Sequence, residues 1–320
     1  VLSAEKVRSI PGANAGVENL LLSLPGVNSN NELSTQYAVR GGNYDENLVY
    51  VNGIEVYRPT LIRAGQQEGL SFLNPDLIQQ VSFKAGGFEA RYGDKLSSVL
   101  DITYKTPTKK ELSLDASLLG GGISYGNTKG KWSAILGARY RNNQLLVNQK
   151  ETSAQYQPSF TDLQSFMNYQ KSEKLKFQFL GSISRNIYHH APQTRQTNFG
   201  TVSDPRALLV YYNGNEEDIY QTYLGALKTT FHPSENNQYV LTTSIYHTQE
   251  QEYFEIIGQY LLGTQNTEIG SEDLGTITYA EGIGSQHTHG RNDFDALITS
   301  VNISGKHQLD KQELLWGIEI

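Results

Sequence analysis

The amino-acid sequence predicts two consecutive parts, a small α/β domain followed by a larger antiparallel β domain. The composition combines 20 Tyr and 30 Gly with a single Met, a balance that suits strands and turns better than packed helices. Near Pro107 the short apolar segments and Gly-rich turns give way to long segments in which apolar and polar residues alternate. This period of two is typical of strands.

The overall composition excludes several classes of function. The 320 residues carry a net charge of −7, which gives no indication of nucleic-acid binding. The sequence has no Cys, which rules out disulfides, thiolate zinc sites and Cys nucleophiles. No apolar run approaches the roughly 20 residues of a transmembrane helix. We therefore expect either a soluble protein or one that meets a membrane as a β-barrel.

The first 107 residues contain the elements of a compact α/β domain. A helix is predicted over residues 16–23, where an apolar segment ends at a Pro-Gly pair. Short apolar strands are predicted over residues 48–51 and 81–83. Asn52-Gly53 directly follows the first of these strands and is a strong β-hairpin signal.

The clearest alternating segment lies at residues 131–141. One face of such a strand carries Trp132, Ala134, Leu136, Ala138 and Tyr140. The other face carries Ser133, Ile135, Gly137, Arg139 and Arg141. From the first aromatic residue to the last, a tilted strand would rise by roughly 20 Å, close to the apolar band of an outer-membrane barrel. A soluble β-sandwich alternates in the same way, with its apolar side inward, so the alternation leaves both architectures open.

The lengths of the connections favour the barrel. Short polar turns are predicted at residues 127–130, 171–174, 233–237 and 309–311. Between them lie long polar stretches, which we expect to be loops, at residues 142–159, 188–218 and 251–291. Outer-membrane barrels alternate short periplasmic turns with long external loops in this manner. If the first strands cover residues 111–118 and 121–126 and the last covers 313–320, there are about nine strands.

Four motifs follow one another in the first part of the chain. They are VENLLLSLPGV (17–27), YAVRGG (37–42), NLVYVNGI (47–54) and IQQVSFKAGGFEARYG (78–93). In this order and spacing they resemble the plug domain of TonB-dependent receptors. The sequence departs from the family at Ala85-Gly86-Gly87, where Arg-Gly-Pro is frequent, so one usual charged contact between plug and barrel is missing or moved.

The resemblance implies an α+β plug domain over residues 1–107, followed by an antiparallel transmembrane β-barrel of which residues 108–320 are the N-terminal portion. Plugged transporters of this kind have 22 strands. The implied function is ligand-gated active uptake of a siderophore, cobalamin, peptide or glycan through the outer membrane of a Gram-negative cell. The implied partners are that ligand, outer-membrane lipid and the TonB energy-coupling complex, engaged through a segment expected before Val1.

Two other functions stay open at the level of sequence. The chain could be a receptor-like plugged barrel that acts as a partner or gate in a larger outer-membrane assembly, without uptake of its own. It could also be a soluble β-rich enzyme. The ligand of a transporter is not identified by the sequence.

The resemblance also implies a ligand site at the outer end of the plug. Three polar segments, residues 28–36, 42–46 and 57–67, are expected to cluster on the side of the long barrel loops. The candidate contacts are Asn43, Tyr44, Tyr57 and Arg58. Aromatic and Arg side chains offer a large contact area and directed donors with few rotors to freeze. Alternatively, these side chains pack the plug against the barrel wall.

Charged contacts between plug and barrel are expected from Arg40, Lys84 and Arg91. A guanidinium enclosed by a barrel needs a carboxylate partner, and in this family plug arginines often face acidic residues of the wall. Lys84 or Arg91 could replace the contact that is missing at residues 85–87.

Three other patterns do not support a site. Residues 122–126 match the Gly-x-Ser-x-Gly nucleophile motif, but that motif needs a strand, a sharp turn and a helix, and Ser124 lies in a predicted strand. The pairs His189-His190 and His287-Thr288-His289 are partial metal sites at most. We therefore expect no catalytic residue, no cofactor and no metal site.

About nine strands against 22 predicts an incomplete barrel with an open sheet, whose edges another outer-membrane or barrel-assembly chain could pair. The side chains expected to face lipid are Trp132, Leu136, Tyr140, Phe177, Phe179, Leu241, Val301 and Trp316. Those expected to face the plug or lumen are Arg139, Lys176, Gln178 and Ser244.

Overall fold

A computed structural model describes residues 2–3, 16–29, 35–59, 70–147 and 154–320, and every structural statement below refers to these residues. They form a small N-terminal domain and a large antiparallel sheet that curves around one side of it. The buried apolar core of the domain continues into the face of the sheet that is turned toward it. That face is called the inward face below, and the opposite one the outward face.

The N-terminal domain is built on a five-stranded mixed sheet. Its strands are β1 Leu2–Ser3, β4 Asn47–Val51, β5 Ile54–Glu55, β6 Ile78–Lys84 and β7 Ser98–Tyr104, in the spatial order β1-β6-β7-β4-β5. Strands β4 and β7 are parallel, and the other neighbours are antiparallel. Helix α1 covers Val17–Leu22, and β2 Val27–Asn28 pairs with β3 Ala38–Val39. These elements agree with the predicted helix, strands and α+β class.

The predicted hairpin lies between β4 and β5. Asn52 and Gly53 have φ values of 53° and 74°, and a two-residue loop with both central residues at positive φ is the turn that an Asn-Gly pair favours. The Asn52 side chain then accepts a hydrogen bond from the backbone N–H of Tyr104 at 3.0 Å. The hairpin is thereby fixed to the last residue of β7.

The large sheet contains ten strands. They are β8 Glu111–Ser117, β9 Gly120–Lys129, β10 Trp132–Asn142, β11 Ala154–Ser172, β12 Leu175–Pro192, β13 Arg195–Thr201, β14 Asp204–Ser234, β15 Asn237–Gln265, β16 Ile277–Leu309 and β17 Gln312–Glu319. A short helix, α2 Gln144–Val147, follows β10. All strands but β13 pair with their sequence neighbours along the sheet, and β13 folds onto the start of β14. The path of nine strands and the open sheet agree with the sequence prediction, and β8 and β17 are the two edges.

The long connections were predicted wrongly as loops over much of their length. Residues 188–218 and 251–291 lie largely in extended strands, since β14, β15 and β16 comprise 31, 29 and 33 residues. Only residues 266–276 separate β15 from β16. These segments are polar because both faces of the extended sheet meet solvent. Their β-branched and aromatic residues still favour strands.

The two faces of the sheet differ in the direction that a membrane barrel requires. On β10, Leu136 is 39% exposed on the outward face, whereas Ser133 and Ile135 are buried on the inward face. Polar side chains buried inward include Gln164, Ser182, Thr230, Ser244 and Ser300. The outward residues predicted to meet lipid are exposed, except for the half-buried Phe177. This arrangement contradicts the soluble sandwich, in which the apolar face would be buried.

Aromatic residues mark the end of the outward face that carries the short turns. Trp132 stacks on Tyr169 with a centroid distance of 4.3 Å, and Tyr169 stacks in turn on Phe177 at 6.3 Å. Tyr239 and Trp316 continue the band on β15 and β17. Such a band resembles the aromatic girdle of outer-membrane strands, and it is called the aromatic girdle below. No helix among the described residues is long and apolar enough to cross a membrane.

Candidate functional site

The N-terminal domain is held against the sheet by a buried guanidinium. Arg139 of β10 pairs with Asp162 of β11, and its Nε lies 2.9 Å from Asp162 Oδ1. The other nitrogens of Arg139 donate to backbone carbonyls of the N-terminal domain, to Ser71 O at 2.8 Å and to Leu73 O at 3.1 Å. Both charged side chains are at most 10% exposed. A planar guanidinium suits this task because its donors can serve a carboxylate and two carbonyls together.

Two further polar contacts join the same surfaces. Tyr104 donates its hydroxyl to Gln164 Oε1 of β11 at 2.7 Å, and both side chains are buried. Lys228 of β14 donates to the backbone carbonyl of Asn52 at 2.9 Å. Gly137 of β10 lies opposite Gln164, and a Cβ there would sit 2.6 Å from Asn74 Nδ2 and 3.1 Å from a methyl group of Leu77. The side chains of Asn74 and Leu77 therefore pack directly on the backbone of β10.

A carboxylate of helix α1 lies behind the guanidinium. Ser71 donates its hydroxyl to Glu18 Oε1 at 2.5 Å. Loss of water around the Glu18 carboxyl raises its pKa, while the bond from Ser71 and the charge of Arg139 act in the opposite direction. Helix α1 is thus linked through Ser71 to the guanidinium that holds the domain.

Tyr57 and Arg58, two of the predicted ligand contacts, lie together against β15 and β16. The Tyr57 ring is 6.0 Å from the ring of Tyr246. Arg58 forms an ion pair with Glu250 at 2.6 Å, and its guanidinium lies 5.1 Å above the centre of the Phe294 ring. Arg58 also has a φ of 52°, a left-handed conformation that costs a non-Gly residue energy and is retained where surrounding contacts impose it. Both side chains therefore contact the strands of the sheet, and their role in ligand binding stays a prediction.

Two cavities meet at Arg58. The first, about 50 Å³, lies in the seam between the domain and the sheet and is lined in part by Ser71, Asp162 and Tyr188. The second, about 230 Å³, lies between Arg58 and the strand extensions and is lined by Arg58, Glu250, Glu252, Asn292, Asp293 and Phe294. The second volume is the candidate ligand chamber, since it combines an aromatic surface with a few polar groups.

An aromatic cluster forms the wall beside the seam. Phe160, Tyr188 and Tyr220 are buried on adjacent strands. The ring centre of Tyr188 is 5.6 Å from that of Phe160 and 5.8 Å from that of Tyr220. The Tyr220 hydroxyl donates to Glu252 at 2.8 Å. Tyr188 begins a segment that was predicted to be a loop, and Phe160 and Tyr220 lie just after the ends of two such segments, so the sequence analysis did not predict this cluster.

The comparison with protein families decides the identity of the N-terminal domain. The family model of the TonB-dependent receptor plug domain matches residues 1–98. Residues 1–98 are a TonB-dependent receptor plug domain. The resemblance in the four sequence motifs is thereby confirmed, and the contacts of Arg139, Gln164 and Lys228 are contacts between this plug and the sheet.

Several solved receptor and transporter structures align with most of this chain. A mutant of the ferric enterobactin receptor PfeA from Pseudomonas aeruginosa is 13% identical, with 99% of this chain and 56% of that protein covered and a TM-score of 0.47. The siderophore receptor PirA from Acinetobacter baumannii is 11% identical (99% and 60% covered, TM-score 0.44). The transporter YddB from Escherichia coli is 11% identical (99% and 55% covered, TM-score 0.46). The chain thus spans little more than half of each protein. No curated protein matches the sequence.

The other two predicted ligand contacts belong to a short 3₁₀ turn, Tyr44–Glu46, before β4. Asn43 is exposed and caps this turn by accepting a hydrogen bond from the Tyr44 N–H at 3.0 Å. Ser97 donates to Glu46 at 2.6 Å and fixes the turn to the residue before β7. Both of these hydrogen bonds lie within the plug, and the role of the turn in ligand binding stays a prediction.

The three charged residues predicted to touch the barrel are placed differently. Lys84 pairs with Glu89 of the plug. Arg91 donates to the Tyr92 hydroxyl and lies 3.9 Å from Asp101. The Arg40 side chain is exposed, and no ion pair between described residues includes it. Lys84 and Arg91 therefore interact with nearby residues of the plug. The charged contacts across this interface come instead from Arg58 of the plug and from Arg139 and Lys228 of the wall.

Other predictions concern loops, metals and catalysis. Residues 30–34 and 60–69 lie outside the described residues, so the expected clustering of the three apical segments is not described. His287 and His289 have ring centres 6.1 Å apart, and no group of three metal-ligating side chains occurs in the described ranges. Ser124 lies within β9, in a strand and not at a turn into a helix.

The Arg139 contacts generate the first prediction. Arg139→Met should destabilise the folded protein by about 3–5 kcal/mol, because Asp162 is left as a buried, unpaired charge and two plug carbonyls lose their donors. Arg139→Met with Asp162→Leu should recover most of the loss, since both charges are then absent. Urea unfolding in detergent micelles measures the free energy of unfolding of both variants. A double variant less stable than Arg139→Met alone would contradict the role of Arg139 as the partner of Asp162.

A second prediction concerns Glu55 of the plug. Burial, together with the nearby charge of Glu319, raises the pKa of its carboxyl to about 6. Because the pKa is higher in the folded state, ionisation opposes folding. The penalty is absent below the ordinary pKa, grows as pH rises toward 6 and is complete above it. Glu55→Gln should therefore stabilise the protein by about 1 kcal/mol at neutral pH, after allowance for solvent screening.

Thermal unfolding, measured at neutral pH and at a pH near the ordinary carboxyl pKa, tests this prediction for Glu55. The gain of Glu55→Gln over the unsubstituted protein should vanish at the lower pH. Glu89→Gln is the control, since Glu89 is exposed and the bond from Lys84 lowers its pKa, so its effect should have the opposite sign. If Glu55→Gln increased the stability equally at both pH values, the raised pKa of Glu55 would be refuted.

Proposed function

We propose that this chain is the plug and the first part of the barrel of an outer-membrane active transporter, driven by the TonB complex. The observation that carries the proposal is a plug domain seated on one face of a sheet whose opposite face is apolar and exposed. A sheet surrounded by water would bury its apolar face, whereas a strand in lipid exposes it and turns its polar side chains to the lumen. Outer-membrane lipid is then the environment of the outward face.

The proposed boundary lies at residue 107, with the plug over residues 1–107 and the barrel portion over residues 108–320. Strand β7 ends at Tyr104 and β8 begins at Glu111. Thr128 donates its side-chain hydroxyl to Pro107 O, so the connecting segment is fixed to the turn end of β9. The barrel therefore starts on the side of the sheet that carries the short turns and the aromatic girdle.

The ligand would enter the chamber above Arg58 and be taken up past the plug. Tyr57 and Arg58 are proposed as contacts at the floor of this chamber, and Asn43 and Tyr44 as further contacts from the plug surface. Siderophores, cobalamin, peptides and glycans are the ligand classes for a transporter of this kind. TonB would act on a segment that precedes Val1 in the full-length protein.

The outward face provides the test of membrane insertion. Leu136→Arg should lower assembly of the full-length protein in the outer membrane, since an Arg near the membrane midplane costs about 2–4 kcal/mol on the lipid face. Ile283→Arg is the matched control. Ile283 is 79% exposed on the outward face, but it belongs to the end of β16 that lies far from the aromatic girdle. The measurement is the amount of heat-modifiable, folded protein in outer-membrane fractions. Equal effects of the two substitutions would count against insertion at Leu136.

Cross-linking to TonB tests the transport function without knowledge of the ligand. Cells that produce the full-length protein should yield a covalent adduct with the periplasmic domain of TonB when a photo-reactive residue precedes the plug. Folded protein in the outer membrane with no adduct at any such position would favour the role of a partner or gate. Recovery of the folded protein from the aqueous fraction without detergent would instead favour a soluble enzyme.

A further inference from the structure

The extensions of β15 and β16 beyond the plug carry all but one of their charged side chains on one face. On the inward face, the even-numbered residues 252–264 of β15 and 282–294 of β16 include one ionisable residue of the Asp, Glu, Lys, Arg or His type, Glu252. The outward face of the same segments carries Glu255, His287, His289, Arg291 and Asp293. Solvent alone gives no reason for such segregation, because it would accept charges on both faces.

The inward face of this extension is also shaped by rings that lie over glycines. A Cβ on Gly284 would be 2.1 Å from the Tyr260 hydroxyl, and one on Gly290 would be 2.4 Å from Phe254 Cζ. A Cβ on Gly258 would be 3.3 Å from Tyr212 Cε1. Each ring therefore reaches across the neighbouring strand and lies along the sheet. Covering a strand glycine with an aromatic ring stabilises the sheet, yet Tyr212 and Tyr260 remain 40% and 43% exposed.

We propose that this surface, the aromatic platform of Tyr212, Phe254, Tyr260 and Phe294, binds a neutral oligosaccharide; the inference rests on the proposed transport function and names its substrate class. The C–H groups of a sugar ring pack against aromatic rings, whose faces carry negative charge density. The hydroxyls need uncharged donors and acceptors, which Gln286, Thr288 and Asn292 supply on the adjacent strand.

The charged residues around the platform favour a neutral ligand over an anionic one. The carboxylates nearest the platform are Glu216 and Glu252 on the inward face and Glu250 at its lower end. The guanidinium at that end, Arg58, is already paired with Glu250. An anionic chelate or acidic polymer would meet like charges, which disfavours binding. A neutral, hydroxyl-rich chain can instead donate hydrogen bonds to the carboxylates.

The platform also leads to the plug. Phe294 forms its lower end and lies beneath the Arg58 guanidinium, and Phe254 and Tyr260 follow at four and ten residues beyond Glu250 along β15. At about 3.4 Å per residue the rings span roughly 30 Å. A chain of several sugar units would therefore contact the plug at one end while held along the sheet.

Adjacent residues on opposite faces of one strand supply matched controls. Tyr212→Ala and Phe254→Ala remove rings from the platform, while Tyr211→Ala and Tyr253→Ala remove rings from the outward face of the same strands. The full-length protein, purified in a detergent without a sugar headgroup, is titrated calorimetrically with neutral hexasaccharides of glucose, mannose and xylose, each in its common linkages. Hexagalacturonate is the anionic probe.

At least one neutral hexasaccharide should bind with a Kd below about 1 mM, and Tyr212→Ala and Phe254→Ala should each weaken it about tenfold. Tyr211→Ala and Tyr253→Ala should leave the Kd unchanged. The proposal is overturned if no neutral hexasaccharide binds, if hexagalacturonate binds more tightly, or if inward and outward variants lose affinity equally. A TonB adduct obtained alongside any of these results would leave transport standing and remove only the substrate class.

Discussion

The interaction between Arg139 and Asp162 holds the rest of the structure in place. Its geometry requires β10 and β11 to be in register and the chain at Ser71 and Leu73 to lie against the inward face. A buried ion pair is a weak source of net stability, because desolvation offsets much of the attraction. Its value in this fold is positional, since the two plug carbonyls complete the hydrogen bonding of the guanidinium only in one placement of the plug.

Around this pair the interface combines two kinds of contact. Ile135, Phe166, Leu180 and Leu224 of the sheet belong to the same buried cluster as the core of the plug. Polar contacts surround the cluster, among them those of Gln164, Lys228 and Arg58. Apolar burial supplies the driving force for seating the plug, while the polar contacts fix its orientation and exchange for water at about 1 kcal/mol each.

Sequence reasoning succeeded where a local rule decides the structure. The Asn52-Gly53 turn, helix α1 and the alternation of β10 follow from backbone preference and the period of the side chains, and all three are confirmed. The strand extensions were missed because solvent on both faces removes the apolar stripe by which a strand is recognised. The rings over Gly258, Gly284 and Gly290 were missed with them, since only the register between strands brings each ring to its glycine.

The charged residues show a second limit of the same kind. Lys84 and Arg91 were chosen because they replace a family motif, yet both find partners within a few residues of the plug chain or on the adjacent strand. Arg139 carried a better signal, because a buried charge on the inward face of a strand needs a partner of opposite charge beside it. Asp162 is 23 residues away in sequence, so its identity as that partner depends on the antiparallel register of β10 and β11.

The proposed transport function imposes a further constraint on this interface, because the plug must then be held firmly and still be able to move. The contact of Arg58 with Glu250 lies between the chamber and the plug, at a residue whose left-handed backbone is maintained by its surroundings. A ligand that competes for Glu250 or for the face of Phe294 would release a plug residue from the wall without exposing the apolar cluster around Ile135. Removal of polar contacts costs little when water replaces them, whereas separation of the apolar cluster costs about 25 cal/mol for each Å² exposed. The ligand can therefore loosen the upper contacts alone, and separation of the apolar cluster is the step for which an external source of energy is needed.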